Sequence, residues 1–121
     1  MSDLNELVDR YLAVWNTADA DARHAAIADL WTEDGVYVDP LMEVEGHDGV
    51  NAGIGAALTQ FAGHEIKLLG AVDAHHDIAR FRWELVPVGG GGSVVEGFDV
   101  VVAEQGKLKG VYGFIDKMPA A

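Results

Sequence analysis

A short β-branched stretch, Val36-Tyr37-Val38, leads directly into Asp39-Pro40, and this ending constrains the fold more than any other feature of the chain. Proline has no backbone N–H to give to a sheet, and it forces the residue before it into extended geometry. A strand is therefore predicted to stop at Asp39, with a carboxylate at its mouth. A carboxylate in that position is well suited to acid–base chemistry.

Apolar residues recur at helical intervals before this strand and again shortly after it. The apolar face of the first predicted helix consists of Leu4, Leu7, Val8, Tyr11, Leu12 and Trp15. Asp3 and Glu6 have the spacing of a capping box at its start. After the break at Asn16–Asp19, a second helix is predicted to run through Trp31, and a third follows the turn Gly46-His47-Asp48 and continues to Phe61.

Beyond Phe61 the apolar period changes from helical to the two-residue period of strands. The predicted strands are Ile66–Val72, Ile78–Val88, Val94–Ala103 and Leu108–Ile115. Glu104–Lys107 predicts a tight turn, and the four glycines Gly89–Gly92 predict a flexible loop. Helices first and a strand meander after them indicate an α+β fold, in which the N-terminal helices pack on a mostly antiparallel sheet.

The composition narrows the classes of function. The chain has 121 residues, which we expect to form one domain over 1–121, and 20 acidic against 8 basic residues give a net charge of −12. That charge argues against nucleic acid and against an anionic membrane surface as partners. The chain has no cysteine, its N-terminus is acidic, and it has no apolar run of about 18 residues. We therefore expect a cytoplasmic protein.

Two further residues are candidates for a pocket. Asp99 stands between Phe98 and a run of valines, where an acid is costly to bury unless it is protonated, paired or functional. Tyr11 lies on the apolar face of its helix, where a satisfied core tyrosine explains it as well as catalysis does. Asp39 itself has a structural alternative, as the cap of a turn.

The strand Ile78–Val88 leaves an open choice. Strict alternation turns either Phe81, Trp83 and Leu85 or Arg80, Arg82 and Glu84 toward the pocket. An inward arginine would pair with Asp39 or Asp99 and keep the carboxylates ionised. The sequence alone does not decide between the two faces.

Metal and cofactor binding are not expected. His75 and His76 are adjacent, so in a strand they would face opposite ways, and a turn between strands explains the pair more simply than a metal site. The Gly89–Gly92 run joins two strands and lacks the Gly-Lys-Ser or Gly-Lys-Thr of a phosphate-binding loop.

Taken together, these segments resemble the nuclear transport factor 2-like (NTF2-like) superfamily, and within it the SnoaL-like polyketide cyclases. The similarity covers nearly the whole chain and rests on the helical segment Asp9–Asn16, the Asp39-Pro40 strand end, the third helix and the late meander. At three positions the chain is also similar to ketosteroid isomerase: Arg10-Tyr11-Leu12-Ala13, Asp39-Pro40, and Asp99 within Gly97-Phe98-Asp99-Val100.

This resemblance implies a cone-shaped domain, a strongly curved sheet enclosing one pocket, and a homodimer. It also implies catalytic roles, with Asp39 as general base and with Tyr11 and a neutral Asp99 as hydrogen-bond donors to a developing enolate. The substrate would be a small hydrophobic carbonyl compound, isomerised or cyclised without a cofactor. The side chains expected to bind the ligand are Trp15, Trp31, Phe61, Arg82 and Trp83.

Two alternatives to an enzyme stay open. The same pocket could store or sense a hydrophobic metabolite without moving a proton. The outer face of the sheet could instead recruit a protein, with only a shallow pocket behind it.

Overall fold

Three helices pack against a six-stranded sheet in the computed structural model, which describes residues 4–119. Along the chain the elements are α1 (Leu4–Trp15), α2 (Ala20–Leu30), β1 (Trp31–Asp39), β2 (Met42–Glu45), α3 (Gly46–Gln60), β3 (His64–His75), β4 (Ile78–Pro87), β5 (Val95–Glu104) and β6 (Lys107–Lys117). The predicted α+β class is confirmed, and so is the end of β1 at Asp39.

The strands lie in the order β2-β1-β6-β5-β4-β3. β3 to β6 form the predicted antiparallel meander, whereas β1 pairs with β6 in parallel. β6 therefore separates β1, which ends at Asp39, from β5, which carries Asp99. This arrangement brings two acids that are 60 positions apart in sequence onto the two strands that flank β6.

The core forms between the helices and one face of the sheet. α1 contributes Leu7, Val8, Tyr11 and Leu12, which are buried at the predicted helical spacing. α3 adds Val50 and Ile54, which are fully buried. The predicted capping residue Asp3 lies outside the described residues.

A buried arginine joins the helices. Arg23 on α2 is 5% exposed, and its guanidinium donates to the Asn51 side chain on α3 at 2.7 Å and to the carbonyls of Thr17 and Ala18 at 3.1 and 3.2 Å. A Cβ on Gly55 would lie 2.7 Å from the guanidinium, so the glycine provides the space. These contacts fix the α1–α2 connection against α3, which forms one side of the site.

The boundary between α2 and β1 differs from the prediction, one short strand was missed, and β3 and β6 are longer than the predicted Ile66–Val72 and Leu108–Ile115. α2 ends at Leu30, and Trp31 already belongs to β1, because its backbone is extended (φ −93°, ψ 151°). β2 was not predicted, since four residues are too short to show a period. It pairs with β1 immediately after Pro40.

The turns follow the predicted chemistry. Gln105 and Gly106 both have positive φ, at 51° and 81°, in the tight turn between β5 and β6, and the Gly89–Gly92 run connects β4 to β5. Within residues 4–119, no helix is long and apolar enough to cross a membrane.

Candidate acid–base site

A narrow cavity opens between the helices and the inner face of the sheet. Its lining combines two carboxylates with aromatic and aliphatic walls: Tyr11, Trp15, Tyr37, Asp39, Leu41, Ala57, Leu58, Phe61, Ile66, Trp83, Leu85, Val95, Asp99, Gly113, Phe114, Ile115 and Met118. The volume of this cavity that water-sized molecules can enter is about 70 Å³. Leu41 and Met118 are 59% and 44% exposed, which places them at the rim.

The Asp39 carboxyl group accepts hydrogen bonds from three donors. Its Oδ2 accepts from the Tyr37 hydroxyl at 2.6 Å, and its Oδ1 accepts from the backbone N–H groups of Leu41 and Met42 at 2.8 and 3.0 Å. Asp39 thus caps the β1–β2 turn and also lines the cavity. The turn cap and the pocket residue that the sequence offered as alternatives are therefore the same side chain.

Asp99 lies in a different environment. It is 2% exposed, and it accepts from the Tyr11 hydroxyl at 2.8 Å and from Trp83 Nε1 at 2.9 Å. Burial raises the pKa of Asp99 from 3.8 to about 7, the two hydrogen bonds oppose this rise, and the charge of Asp39 adds to it. Near neutral pH the neutral and ionised forms of Asp99 are therefore both present.

Two glycines make room for this arrangement. Gly97 is the cross-strand partner of Trp83, and a Cβ there would lie 2.7 Å from the indole ring and would collide with the Phe114 carbonyl. Gly113 is the cross-strand partner of Asp99, and a Cβ there would lie 2.8 Å from Asp99 Oδ1 and 3.3 Å from the Asp39 Cβ. Gly113 therefore sits between the two acids.

The two tyrosines of the cavity remain neutral. Burial raises the pKa of Tyr11 and of Tyr37 well above the usual value of 10.0, and the nearby charge of Asp99 adds to both shifts. Both hydroxyls therefore act as hydrogen-bond donors and acceptors, not as phenolates, at any ordinary pH.

Six of the eight side chains predicted for the site line the cavity: Asp39, Tyr11, Asp99, Trp15, Phe61 and Trp83. Two do not, and both placements are corrections. Trp31 is 1% exposed and packs in the core against Tyr11, with the ring centres 5.8 Å apart. Arg82 lies on the exposed face of β4 and pairs with Glu96 at 3.4 Å.

The open choice on β4 is settled by this arrangement. Phe81 is buried, whereas Arg80 faces solvent and pairs with Asp73 at 3.1 Å. Arg80 and Arg82 both lie on the solvent-exposed face of β4, because a guanidinium group is costly to bury. The residues that line the cavity include no lysine or arginine.

Tyr37 was missed from the sequence as a site residue. It stands two positions before Asp39, so the two side chains share one face of β1, and this spacing was the available signal. Gly113 was also missed, because its importance depends on cross-strand register.

Of the two histidines in the predicted turn, His75 is the last residue of β3, and His76, with φ 51°, lies in the turn between β3 and β4. Among the residues that the structure describes, no group of three or more His, Asp or Glu side chains is arranged to hold a metal ion.

Three helices packed on a six-stranded, mostly antiparallel sheet form the NTF2-like fold, which is also the fold of an NTF2-like protein from Mesorhizobium loti (20% identical, TM-score 0.70, over 93% of this chain and 89% of that one). Residues 8–111 match the SnoaL-like domain family, and the chain belongs to that family. The resemblance seen in the sequence is thereby confirmed.

A solved structure of a candidate isomerase of the SnoaL-like family, from Agrobacterium tumefaciens str. C58, is similar over nearly its full length. It is 38% identical, with a TM-score of 0.87, and the match covers 92% of this chain and 95% of that one. Among curated proteins no match is found.

More distant neighbours share the fold alone. A candidate polyketide cyclase from Sinorhizobium meliloti is 18% identical with a TM-score of 0.70, over 89% of this chain and 93% of that one. A candidate ketosteroid isomerase from Kribbella flavida DSM 17836 is 15% identical with a TM-score of 0.69, over 96% and 79%.

Proposed function

We propose that this chain is a cofactor-independent acid–base enzyme that enolises a small hydrophobic carbonyl compound, leading to isomerisation or cyclisation. One observation carries the proposal: two carboxylates share an apolar cavity but have opposite environments. Asp39 accepts three hydrogen bonds, and Asp99 is buried with a pKa raised to about 7. A buried acid with a raised pKa beside a second carboxyl group in a cavity is typical of acid–base sites.

Asp39 is the base in this proposal. Its carboxylate takes a proton from the carbon next to the carbonyl, the C–H electron pair forms a C=C bond, and the carbonyl electrons move to the oxygen as an enolate. In a substrate with an adjoining C=C bond, return of the proton from Asp39 to the far carbon of that bond moves the double bond, re-forms the C=O group and completes an isomerisation. Alternatively, attack of the enolate carbon on a second carbonyl breaks that carbonyl's π bond and forms a ring, the first C=O group re-forms, and the resulting alkoxide takes the proton from Asp39. Both outcomes balance without an oxidant or reductant.

The Tyr11–Asp99 pair supplies the hydrogen bond to the enolate oxygen. Trp83 Nε1 only donates, so it keeps Asp99 Oδ1 as an acceptor, and Oδ2 faces the Tyr11 hydroxyl at 2.8 Å. When Asp99 is protonated on Oδ2, it donates to Tyr11, and the Tyr11 hydrogen is released to point at the ligand. When Asp99 is ionised, Tyr11 donates to Asp99 instead. Protonation of Asp99 therefore sets the direction of the tyrosine hydroxyl.

The test is exchange of the α-protons of cyclohexanone in D₂O, followed by proton NMR. We expect the native protein to accelerate exchange and Asp39→Asn to reduce the acceleration by about 100- to 10,000-fold, the usual contribution of a general base. Asp34→Asn is the matched control, since Asp34 lies on the same strand but is exposed. Undiminished exchange in Asp39→Asn would remove Asp39 from the mechanism.

A non-catalytic binding protein is the second candidate, and the apolar walls of the cavity favour it equally. The same experiment separates the two. Cyclohexanone that binds but shows no accelerated exchange would identify a binding protein.

We also propose that the chain forms a homodimer through the outer face of the sheet, the face turned away from the helices. Phe98 and Phe114 stack there across β5 and β6, with ring centres 4.9 Å apart and planes 10° from parallel. Tyr112 and Ile78 add exposed apolar area at 39% and 38%. A second copy of the same face would bury these rings in an isologous contact.

A further inference from the structure

Trp15, the last residue of α1, carries a polar atom that nothing in the described structure satisfies. Its ring lines the cavity and packs against Tyr37, with the ring centres 5.8 Å apart. The indole Nε1 is buried and has no hydrogen-bond partner among residues 4–119. A buried donor left unpaired costs about 1–3 kcal/mol, so native proteins rarely keep one without a reason.

The other polar side chains of the cavity are already engaged with each other. The Tyr37 hydroxyl donates to Asp39, and the Tyr11 hydroxyl and Trp83 Nε1 both bond to Asp99. Trp15 acts on the Tyr11 hydroxyl as a weak hydrogen-bond donor, which lowers the Tyr11 pKa against the larger effects that raise it, but no well-formed hydrogen bond joins the two groups. The free indole N–H therefore lies beside the hydroxyl that the proposed mechanism directs at the ligand.

The chemistry of the walls limits what can meet this donor. An indole N–H only donates, so its partner has to be an acceptor. The cavity holds two carboxylates and no lysine or arginine, which disfavours an anionic ligand. A space of about 70 Å³ has room for roughly five to seven water molecules, at about 10–15 Å³ each, so only a small ligand fits.

We propose that Trp15 is the specificity-determining donor of the site, giving a hydrogen bond from Nε1 to the carbonyl oxygen of an uncharged ketone about the size of one ring. The assignment rests on the proposed function, and it adds the ligand's size, its charge and the place of its oxygen. Trp15 and Tyr11 together then hold the oxygen, while Asp39 lies on the side of the carbon that loses its proton.

The first measurement follows the three tryptophan indole N–H signals of nitrogen-15-labelled protein during titration with cyclohexanone. We expect the Trp15 proton to move downfield as the ketone saturates the site, while the Trp31 signal stays in place. Methylenecyclohexane has the same shape but no acceptor oxygen, so it is the control ligand and should give no downfield shift. A purely structural tryptophan would respond alike to both ligands, which would overturn the assignment.

The second measurement compares affinity for cyclohexanone in Trp15→Phe and in Trp31→Phe, a control that makes the same change in the core outside the cavity. Loss of one neutral hydrogen bond should weaken binding by about 3- to 10-fold in Trp15→Phe alone. Equal binding and equal α-proton exchange in Trp15→Phe would overturn the role of Trp15 and leave the acid–base function standing. Neither binding nor exchange in the native protein would overturn both.

Discussion

At the scale of single residues, Asp99 shows a conflict between stability and chemistry. Desolvation opposes its charge, while Tyr11 and Trp83 donate to that charge. As a result, the neutral and the ionised forms of Asp99 are both populated near neutral pH. This is useful for proton transfer, but the burial of the acid is unfavourable for folding. Functional sites commonly carry such a stability cost.

Replacing Asp99 with asparagine should stabilise the protein in a pH-dependent way. Below pH 4 the native acid is protonated both folded and unfolded, so it contributes no pH dependence. Between pH 4 and 7 the unfolded chain releases the proton and the folded chain keeps it, so native stability falls as pH rises. With a folded pKa of about 7 against 3.8, the accumulated loss is about 4 kcal/mol above pH 7.

Urea unfolding of the native chain and of Asp99→Asn at several pH values checks this expectation. The difference in unfolding free energy should grow from pH 4 to pH 7 in favour of the variant and then level off. A difference that does not change with pH would show that Asp99 is not a raised-pKa acid.

At the scale of elements, the site depends on the register of β4, β5 and β6. Trp83 and Asp99 each face a glycine across the ladder, Gly97 and Gly113, and neither has space for a larger partner. A slip of one residue would turn these side chains to the outer face, because side chains alternate along a strand. The glycines therefore belong to the site even though they have no reactive group.

Gly113→Ala tests this dependence. Its Cβ would lie 2.8 Å from Asp99 Oδ1 and would have to displace it, so we expect a loss of stability on the order of 1–3 kcal/mol and an altered Asp99 pKa. Gly92→Ala is the control, since a Cβ there meets nothing within 4 Å. Carbon-13 carboxyl titration and urea unfolding measure both effects, and identical behaviour of the two variants would contradict the expectation.

The sequence identified Asp39 and Asp99 because each breaks a local rule, as an acid before proline and an acid among valines. It could not choose the face of Arg82, since both faces of β4 alternate equally well and the helices decide which one is covered. Trp31 was misplaced for a related reason, because a helix that passes directly into a strand leaves no turn residue to mark the boundary. In general, the residues next to each acid in the sequence were enough to locate it. The side chains around each acid depend on packing between distant segments, which the sequence does not show.

At the scale of the whole molecule, the two faces of the sheet differ in what covers them. The helices bury the inner face, whereas the outer face carries Phe98, Phe114 and Tyr112 with arginines near them. Stable protein–protein contacts commonly centre on such aromatic groups with a polar surround. The proposed homodimer follows from this asymmetry.

Tyr112→Glu should turn the proposed dimer into a monomer, because two like charges would face each other across an isologous contact. Val88→Glu is the control, since Val88 is 63% exposed but lies just beyond the end of β4. Sedimentation equilibrium distinguishes the two states. A native chain that sediments as a monomer at micromolar concentration would contradict the dimer.

The position of β6 between β1 and β5 also has a consequence for the order in which the protein can be made. While the ribosome is still adding residues before Lys107, β1 and the β3–β5 meander lack the strand that joins them. Closing a parallel pair across some seventy intervening residues is slow and costs loop entropy. Asp39 and Asp99 are therefore held together only after β6 has left the ribosome, so the nascent chain has no acid–base pair before β6 is made.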